Sequence, residues 1–326
     1  MRPILLEPNM PDTFYRGAGR IARFRGDAAA SQTRPEDWIA STTPRFGRAT
    51  DGMTRLADGS LLADLIAADP VAWLGKEHVA RYGADPALLV KLLDAGERLP
   101  VHVHPDRAFA ATHLASPYGK TEAWIVVEAE PGAVVYLGFA RDVGAAELAG
   151  WVSRQDTGSM LAATNRVPVS AGDTVLCPAG TPHSIGAGVL IVELQEPTDL
   201  SVLLEWRGFP LGPDDAALGL PMDEALACVT RQRGPAARLD ALRGRPLNHA
   251  IGSLLPEAAA PFFVAERVDS QVSGHLTAGY GVLIVTSGDG LLTDEAGVCV
   301  PVSGHPVARR SARNIAWPCG QAQLRA

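Results

Sequence analysis

The sequence lacks two features that would each have indicated a class of protein. Its four cysteines, Cys177, Cys228, Cys299 and Cys319, lie far apart and form no Cys-x-x-Cys pair, so neither a disulfide framework nor a cysteine zinc site is indicated. No apolar run approaches the length of about eighteen residues that a membrane span needs. A secreted disulfide scaffold and a membrane-spanning protein are therefore both disfavoured.

Acidic residues outnumber basic ones, with 36 Asp and Glu against 29 Lys and Arg. The formal net charge is −7 at pH 7, which disfavours nucleic acid and anionic membranes as partners. A small anionic substrate stays compatible, because local basic residues can bind it within an acidic surface. The N-terminal residues show no basic stretch followed by a long apolar core, so we expect a protein of the reducing cytoplasm. The sequence predicts no particular oligomeric state.

Glycine and proline, in contrast, are abundant, with 33 and 25 residues in a chain of 326. Turn formers at this density, spread among short apolar runs, predict a mainly β architecture. With 47% apolar and 20% charged residues, the chain is long enough for a sizeable core and for two domains. Residues 21–24 and 37–40 are predicted to be short strands near the N-terminus.

Two histidines separated by one valine, His102 and His104, stand in an apolar run. Strand alternation places both on one face, with Val101 and Val103 on the other. Two imidazoles that point the same way can hold one transition-metal ion. The alternative is a pair of unrelated histidines on a half-buried strand, because the motif is short.

A second segment favours the metal site. Gly172 opens a strand, and Pro178, Gly180 and His183 follow at the fixed positions of the second signature of the cupin superfamily. The His-x-His pair resembles the first signature, although the nearest good glutamate, Glu122, comes later than in many cupins. Histidine and carboxylate donors together suit Zn²⁺, Fe²⁺, Mn²⁺ or Ni²⁺ and leave positions open for water or substrate.

This resemblance implies a fold class and a domain organisation. We predict a mainly β cupin, a jelly-roll β-barrel, with helical insertions at about residues 60–80 and 144–163. Residues 1–210 form the metal-binding catalytic domain, and 211–245 form a helical segment and linker. Residues 246–326 keep the strand–turn rhythm but lack the histidine motifs. They are predicted to form a second, smaller and metal-free cupin-like β domain.

The late glutamate points to a narrower family. Four segments together resemble type I mannose-6-phosphate isomerase. They are the run 89–99 that leads into the His-x-His pair, the stretch 119–124, the segment 172–186 and the stretch 193–199. The resemblance extends, with interruptions, from about residue 35 to residue 210. It is looser beyond that point.

The family resemblance implies a zinc-dependent, reversible exchange between an aldose phosphate and a ketose phosphate. The family binds its metal through Gln, His, Glu and His, and the last three correspond to His104, Glu122 and His183. His102 stands at the position of the glutamine. The ligand set then becomes three histidines and one glutamate, which suits Zn²⁺ and also Fe²⁺ or Mn²⁺.

The resemblance also implies catalytic residues. Lys120, two residues before the glutamate ligand, is a candidate acid or base beside the metal, and Glu193 is a second candidate. The family carries an arginine that faces the active site, but Leu203 occupies its position in this chain. We name Arg207, four residues later, as the candidate to take its place. Loss of the guanidinium weakens binding of a phosphate or an enediolate by that route.

Four functions are compatible with these features. The first is an isomerase of mannose 6-phosphate and fructose 6-phosphate that acts through a cis-enediol. The second is an isomerase of another sugar, such as an unphosphorylated one, and the third is a sugar-binding cupin without catalysis. The fourth is an Fe²⁺ oxygenase, favoured by the three histidines. In the first three the partner is a small-molecule sugar or sugar phosphate.

Overall fold

The structure is a computed structural model. It describes residues 3–26, 32–234, 236–244, 253–267, 274–276, 279–294, 297, 299–304, 314–317 and 322–325. Parts of the predicted C-terminal domain, 246–326, lie outside these residues, as does Cys319. The division of the chain at residues 210 and 245 stays a prediction.

Short strands account for most of the regular structure. In chain order they are β1 Ile4–Leu5, β2 Glu36–Ile39, β3 Leu89–Ala95, β4 His102–Val103, β5 Glu122–Ala129, β6 Val134–Phe139, β7 Thr164–Pro168, β8 Thr174–Cys177, β9 His183–Ile185, β10 Val189–Gln195, β11 Val202–Leu203, β12 Arg243–Gly244, β13 Gly274–Leu276, β14 Gly281–Ile284, β15 Asp289–Asp294, β16 Cys299–Ser303, β17 Asn314–Trp317 and β18 Ala322–Arg325. The mainly β architecture predicted from the turn formers is confirmed.

The helices are short. They are α1 Arg20–Arg25, α2 Leu62–Ala68, α3 Pro70–Leu74, α4 Lys76–Tyr82, α5 Arg107–His113, α6 Ala145–Arg154, α7 Thr157–Ala163, α8 Pro213–Ala216, α9 Met222–Ala225 and α10 Ala236–Ala241, with 3₁₀ turns at Leu226–Cys228 and Glu257–Ala259. Helices thus occupy both segments predicted to be helical insertions. None of the described helices is long and apolar enough to cross a membrane.

Two antiparallel sheets form the centre of the protein. The larger has the strand order β12-β8-β5-β10-β3-β2, and the smaller has the order β11-β4-β9-β6-β7. Buried apolar side chains of both sheets, among them Trp124, Val126 and Val135, form one cluster, so the sheets face each other. Among the described strands no ladder of hydrogen bonds joins the two sheets. Within the described residues the jelly roll therefore consists of two packed layers and is not a closed barrel.

Both sheets are also covered on their outer faces. In β10, Ile191 faces the cluster between the sheets, whereas Leu190 and Val192 belong to a second cluster with helices α1, α2 and α3. The outer face of the smaller sheet packs through Val103 against Trp151 of α6 and its neighbours. Burial of each such side chain stabilises the fold by about 1.5–3 kcal/mol. The central strands are therefore held from both sides.

The two ends of the chain meet in a small third sheet. Strand β1 pairs with β17 through Ile4 and Ala316, and β17 pairs with β14. Buried residues of the C-terminal part, Leu255 and Phe263 among them, share the outer cluster of the larger sheet. A fourth sheet has the order β13-β18-β15-β16. The N-terminal and C-terminal segments thus share a core.

The two short strands predicted near the N-terminus have different outcomes. The strand predicted over residues 37–40 is confirmed as β2. The strand predicted over residues 21–24 is wrong, because these residues lie in α1. Ile21 and Phe24 are both buried and stand three residues apart, which is a helical spacing.

Candidate metal centre

The candidate ligands come from both large sheets. His102 lies on β4 opposite His183 at the start of β9, and the two are directly paired across the smaller sheet. His104 follows β4, and Glu122 begins β5 in the larger sheet. Because the sheets face each other, the three histidines and the carboxylate meet between them. The structure therefore brings together all four residues that the sequence named as ligands.

The three imidazoles form a compact group. The ring centroids of His102 and His183 are 4.1 Å apart, and that of His104 lies 5.0 Å from His102 and 4.9 Å from His183. One nitrogen of each ring lies within 4.8 Å of the others, a spacing that suits a shared metal ion. His104 and His183 are buried and His102 is half-buried.

Backbone carbonyls set the tautomer of each ring. Nδ1 lies 2.8 Å from a carbonyl oxygen in all three histidines: that of Pro100 for His102, of Leu200 for His104 and of Thr181 for His183. A carbonyl oxygen only accepts, so each Nδ1 donates its proton to it. Each neutral ring therefore presents an unprotonated Nε2. This is how metal-binding histidines are commonly oriented.

The free nitrogens fit a metal ion. The Nε2 atoms of His104 and His183 are buried, and neither makes a hydrogen bond within the part of the chain that the structure describes. Nε2 of His104 instead lies 2.9 Å from a carboxylate oxygen of Glu122, and Nε2 of His183 lies 3.6 Å from the other. A lone pair that faces a carboxylate oxygen is unfavourable unless a cation relieves it. The residues present therefore fit a bound divalent cation.

The charge states agree with this arrangement. Burial, and for His102 also the neighbouring imidazoles, lowers the pKa of the three histidines, that of His104 to about 3. Burial opposes ionisation of Glu122, but His104 and Lys120 outweigh it and hold its pKa well below the ordinary value. The ligands are then three neutral imidazoles and one carboxylate, the forms in which they bind a metal.

Lys120 lies beside the carboxylate. Its Nζ is 3.2 Å from Oε1 of Glu122 and 3.5 Å from Oγ of Ser201, and its side chain is buried. The ammonium group compensates the negative charge of the carboxylate in the absence of other cations. It also points a proton donor at the candidate centre.

A second set of buried polar side chains adjoins the candidate ligands and Lys120. Trp124 Nε1 lies 3.2 Å from Oε2 of Glu122 and 3.2 Å from Oε1 of Glu193, so it links the two carboxyl groups. The ammonium of Lys91 lies 3.7 Å from Glu193 and 3.6 Å from Glu36. These side chains extend the polar region inward from the candidate ligands.

The carboxyl groups around Lys91 differ in their charge states. Burial, followed by the negative charge of Glu122, raises the pKa of Glu193 to about 8. Burial also opposes ionisation of Glu36, but Lys91 and hydrogen bonds from Trp38 and Tyr15 outweigh it and lower its pKa. At neutral pH Lys91 therefore pairs with an ionised Glu36, and Glu193 keeps its proton.

The other two positions that the sequence singles out, Leu203 and Arg207, bring no guanidinium to the candidate centre. Leu203 is buried and pairs with His102 across the smaller sheet, so an apolar side chain occupies the position of the family arginine. Arg207 is exposed, and its guanidinium donates to the carbonyl oxygen of Arg154. It lines a surface cavity of about 800 Å³, whose described lining includes none of the candidate ligands. The structure thus does not bring Arg207 to the candidate centre.

Sequence reasoning missed several of the residues that line the site. Lys91 interrupts the apolar residues 88–93, and a charge at an inward position of a buried strand is a signal that the sequence offers. Trp124 and Glu36 carried no signal of this kind. Cys177 carries no such signal either, because no second cysteine lies near it in sequence. It lies directly opposite Glu122 on β8.

A jelly roll with three histidines and a carboxylate buried between its sheets defines a cupin-type protein with a candidate metal centre. No family model matches the chain. In sequence it is nevertheless similar to mannose-6-phosphate isomerases. It is 27% identical to that of Streptococcus mutans over 302 residues, 89% of this chain and 87% of the relative. It is 35% identical to that of Bacillus subtilis over 117 residues, 36% of each.

Solved structures agree on the fold. The mannose 6-phosphate isomerase of Bacillus subtilis superposes with a TM-score of 0.74 at 20% identity, over 100% of this chain and 97% of that one. A single-residue variant of phosphomannose isomerase from Salmonella typhimurium gives 0.72 at 14% identity, over 100% and 97%. These structures have the cupin fold, so the predicted fold class is confirmed, and the similarity in sequence confirms the resemblance.

Proposed function

We propose that this chain is a metal-dependent aldose–ketose isomerase that interconverts mannose 6-phosphate and fructose 6-phosphate through a cis-enediol. The observation that carries the proposal is the convergence of three imidazoles, each tied by Nδ1 to a carbonyl oxygen, on the ionised carboxylate of Glu122. The relatives, which carry the name mannose-6-phosphate isomerase, support the choice of substrate.

His102, His104, Glu122 and His183 would hold the metal ion. The donors fit because their charge states are those of ligands and because two buried Nε2 atoms lack another partner in the described chain. Zn²⁺ suits this set best, with Fe²⁺ or Mn²⁺ as the alternatives. When bound, such an ion acts as a Lewis acid on sugar oxygens.

Lys120 is the residue we propose to carry a proton between C1 and C2 of the sugar. Its Nζ lies at the candidate centre beside Glu122 and Ser201, and its side chain is buried. Moving a proton between adjacent carbons needs one group that both takes up and releases a proton, which the amine and ammonium forms of one lysine can do in turn. A positioned acid or base of this kind contributes roughly 10²–10⁴-fold to the rate.

Glu193 is the second residue to which we give a role in proton transfer. Its raised pKa keeps a proton on the carboxyl group at neutral pH, close to Trp124 and Lys91. A neutral carboxyl group can donate a proton to a sugar oxygen and take it back. Arg207 receives no role in the proposal, because its guanidinium contacts the carbonyl of Arg154. The proposed setting is the cytoplasm, since charged sugar phosphates do not cross bilayers unaided.

The direct test is exchange of the C2 hydrogen. The purified protein, stripped and reloaded with one equivalent of Zn²⁺, is incubated with mannose 6-phosphate in deuterium oxide. We expect fructose 6-phosphate to form and deuterium to appear at C2. Lys120→Met is expected to slow both by roughly 10²–10⁴-fold with no change in metal content.

Lys76→Met serves as the matched control, because Lys76 is on α4 and contributes to none of the contacts of the centre. This variant is expected to match the wild type. A zinc-loaded wild type that leaves mannose 6-phosphate unchanged, with no deuterium at C2, would contradict the proposal. Tight sugar binding without exchange would instead favour the non-catalytic cupin.

Leu203 favours a second candidate, an isomerase of an unphosphorylated sugar. Its buried apolar side chain faces the same side as His102, where the family carries a guanidinium. A leucine cannot pair with a phosphate group. Turnover of mannose and of mannose 6-phosphate at equal concentration separates the two candidates. A higher kcat/KM for the free sugar would favour the second.

A further inference from the structure

Cys177 lies against the candidate metal centre. It is the last residue of β8, it is 1% exposed, and it pairs directly with Glu122 across the larger sheet. Its Sγ, a carboxylate oxygen of Glu122 and a ring nitrogen of His183 all lie within 4.8 Å of one another. The three donors thus form a second triad that shares His183 with the three-histidine group.

The ring of His183, which both groups share, also points to a ligand beside Cys177. Its Nδ1 is engaged by the carbonyl of Thr181, and its Nε2 is buried without a hydrogen bond in the described part of the chain. This nitrogen therefore points an unused lone pair into the space that Cys177 borders. An unpaired buried acceptor of this kind is destabilising unless something fills the position.

We propose that Cys177 is a further ligand of the metal centre. The donor set would then combine imidazole nitrogens, the carboxylate of Glu122 and one thiolate sulfur. On binding, the Cys177 S–H bond breaks, a metal–sulfur bond forms and the proton is released to solvent. A thiolate selects zinc over manganese, which prefers oxygen donors. The inference rests on the metal centre of the proposed function, but not on catalysis of isomerisation.

The competing role for Cys177 is apolar packing. Its side chain also belongs to the buried cluster between the sheets, together with Trp124 and Val175. A buried cysteine commonly behaves as a small hydrophobic residue. The two roles differ in what happens to the sulfur when metal is added, because only a ligand loses its proton and bonds to the ion.

Cobalt substitution distinguishes the two roles. The full chain is stripped of metal and titrated with Co²⁺ while its absorption spectrum is recorded. We expect a thiolate-to-cobalt charge-transfer band in the near ultraviolet that reaches its maximum at one equivalent. Cys177→Ser and Cys177→Ala are expected to bind one equivalent of Co²⁺ without this band. Cys228→Ser, which changes another partly buried cysteine, is the matched control and is expected to retain it.

Metal preference provides a second readout. Even residues that only support a ligand contribute roughly 10-fold to 100-fold to metal affinity. We therefore expect Cys177→Ala to lower the preference for Zn²⁺ over Mn²⁺, measured by competition, by at least roughly tenfold, and Cys228→Ser to leave it unchanged.

Three results would overturn the proposal. These are a wild type that binds one equivalent of Co²⁺ without the charge-transfer band, a Cys177→Ala variant that keeps the band, and a wild type that binds no metal. The first two leave the three-histidine centre and the isomerase proposal intact. Absence of turnover in a protein that shows the band would contradict the isomerase and leave the role of Cys177 standing.

Discussion

The space between the two large sheets has a polar end and an apolar end, and the same strands build both. On β9, His183 faces the candidate metal centre, whereas Ile185, two residues on, lies in the apolar cluster. On β10, Glu193 faces Trp124 of the polar end, and Ile191 again lies in the apolar cluster. One pleat thus separates two different environments.

The contrast shows which end stabilises the protein. Apolar side chains at the apolar end gain free energy on burial, at about 25 cal/mol for each Å² removed from water. Charged groups at the polar end lose hydration worth several kcal/mol per ion, which pairing offsets only in part. The polar end is therefore costly to fold around, which favours a functional reason for its presence.

The largest effect is expected from a matched pair of substitutions on β9. His183→Ala removes a proposed ligand, so we expect metal content to fall well below one equivalent. Turnover should fall by at least roughly 10³-fold, because a bound metal contributes several kcal/mol to transition-state stabilisation. Ile185→Ala should keep the metal but lower the free energy of unfolding by about 2–5 kcal/mol. Metal analysis, turnover and urea unfolding measure the three quantities. A folded Ile185→Ala variant without metal would break the contrast.

A second pair on β3 compares a buried charge with a buried hydrocarbon. Lys91→Met leaves the ionised carboxylate of Glu36 without its cation, so we expect the free energy of unfolding to fall by about 3–5 kcal/mol. Leu93→Met conserves volume at the apolar end and should cost less than about 1.5 kcal/mol. Chemical denaturation of the metal-free proteins measures both.

The double variant Lys91→Met, Glu36→Gln tests the explanation for that loss. It removes the carboxylate that Lys91 neutralises, so it should recover part of the lost stability. No recovery would show that the loss comes from packing and not from an uncompensated charge.

Glu193→Gln is expected to change the pH dependence of stability, by somewhat less than the loss expected for Lys91→Met. The pKa of Glu193 is raised from 4.5 to about 8, so the folded protein holds a proton that the unfolded chain has released. This group therefore contributes stability that is complete below pH 4.5 and is lost as the pH rises through about 8. As the pH rises from about 5 to about 9, the free energy of unfolding of metal-free Glu193→Gln should therefore increase by about 2–4 kcal/mol relative to that of the wild type.

Unfolding curves over this pH range measure the effect of Glu193→Gln. Ile191→Val, at the apolar end of the same strand, should cost about 0.5–1.5 kcal/mol at every pH. A Glu193→Gln difference that is independent of pH would mean that the carboxyl group is ionised throughout the range.

The smallest effect is expected from His102→Gln, which restores the family residue at the half-buried edge of the polar end. An amide oxygen can replace the imidazole, so one equivalent of Zn²⁺ should still bind, with affinity lower by roughly tenfold. His78→Gln, on α4, is the control and should have no effect. Equilibrium competition with a chelator measures both. An unchanged affinity in His102→Gln would indicate that His102 is not a ligand.

Local patterns predicted much of this structure. Alternation placed His102 and His104 on one face, and the structure puts their rings 5.0 Å apart. The spacing of Pro178 and Gly180 predicts a tight turn before His183. In the structure, Gly180 adopts the left-handed backbone that this turn requires. The family resemblance supplied Glu122, which local patterns do not single out.

Long-range pairing limited the prediction elsewhere. Lys91 meets Glu193 only because β3 and β10 pair in one register, and Cys177 meets Glu122 only because β8 pairs with β5. A shift of one residue in either ladder would turn these side chains to the opposite face. Arg207 was named because it lies close in sequence to Leu203. The chain beyond β11 carries it instead to a surface cavity.

The sequence by itself determined the mainly β class, the inward histidines and the family resemblance, because these depend on residue type and on spacings within one strand or turn. Tertiary structure decided which side chains meet, which carboxyl group keeps its proton and what borders the centre. Pairing and burial of that kind arise only when distant strands come together between two sheets. There the loss of water makes each neighbouring charge decisive.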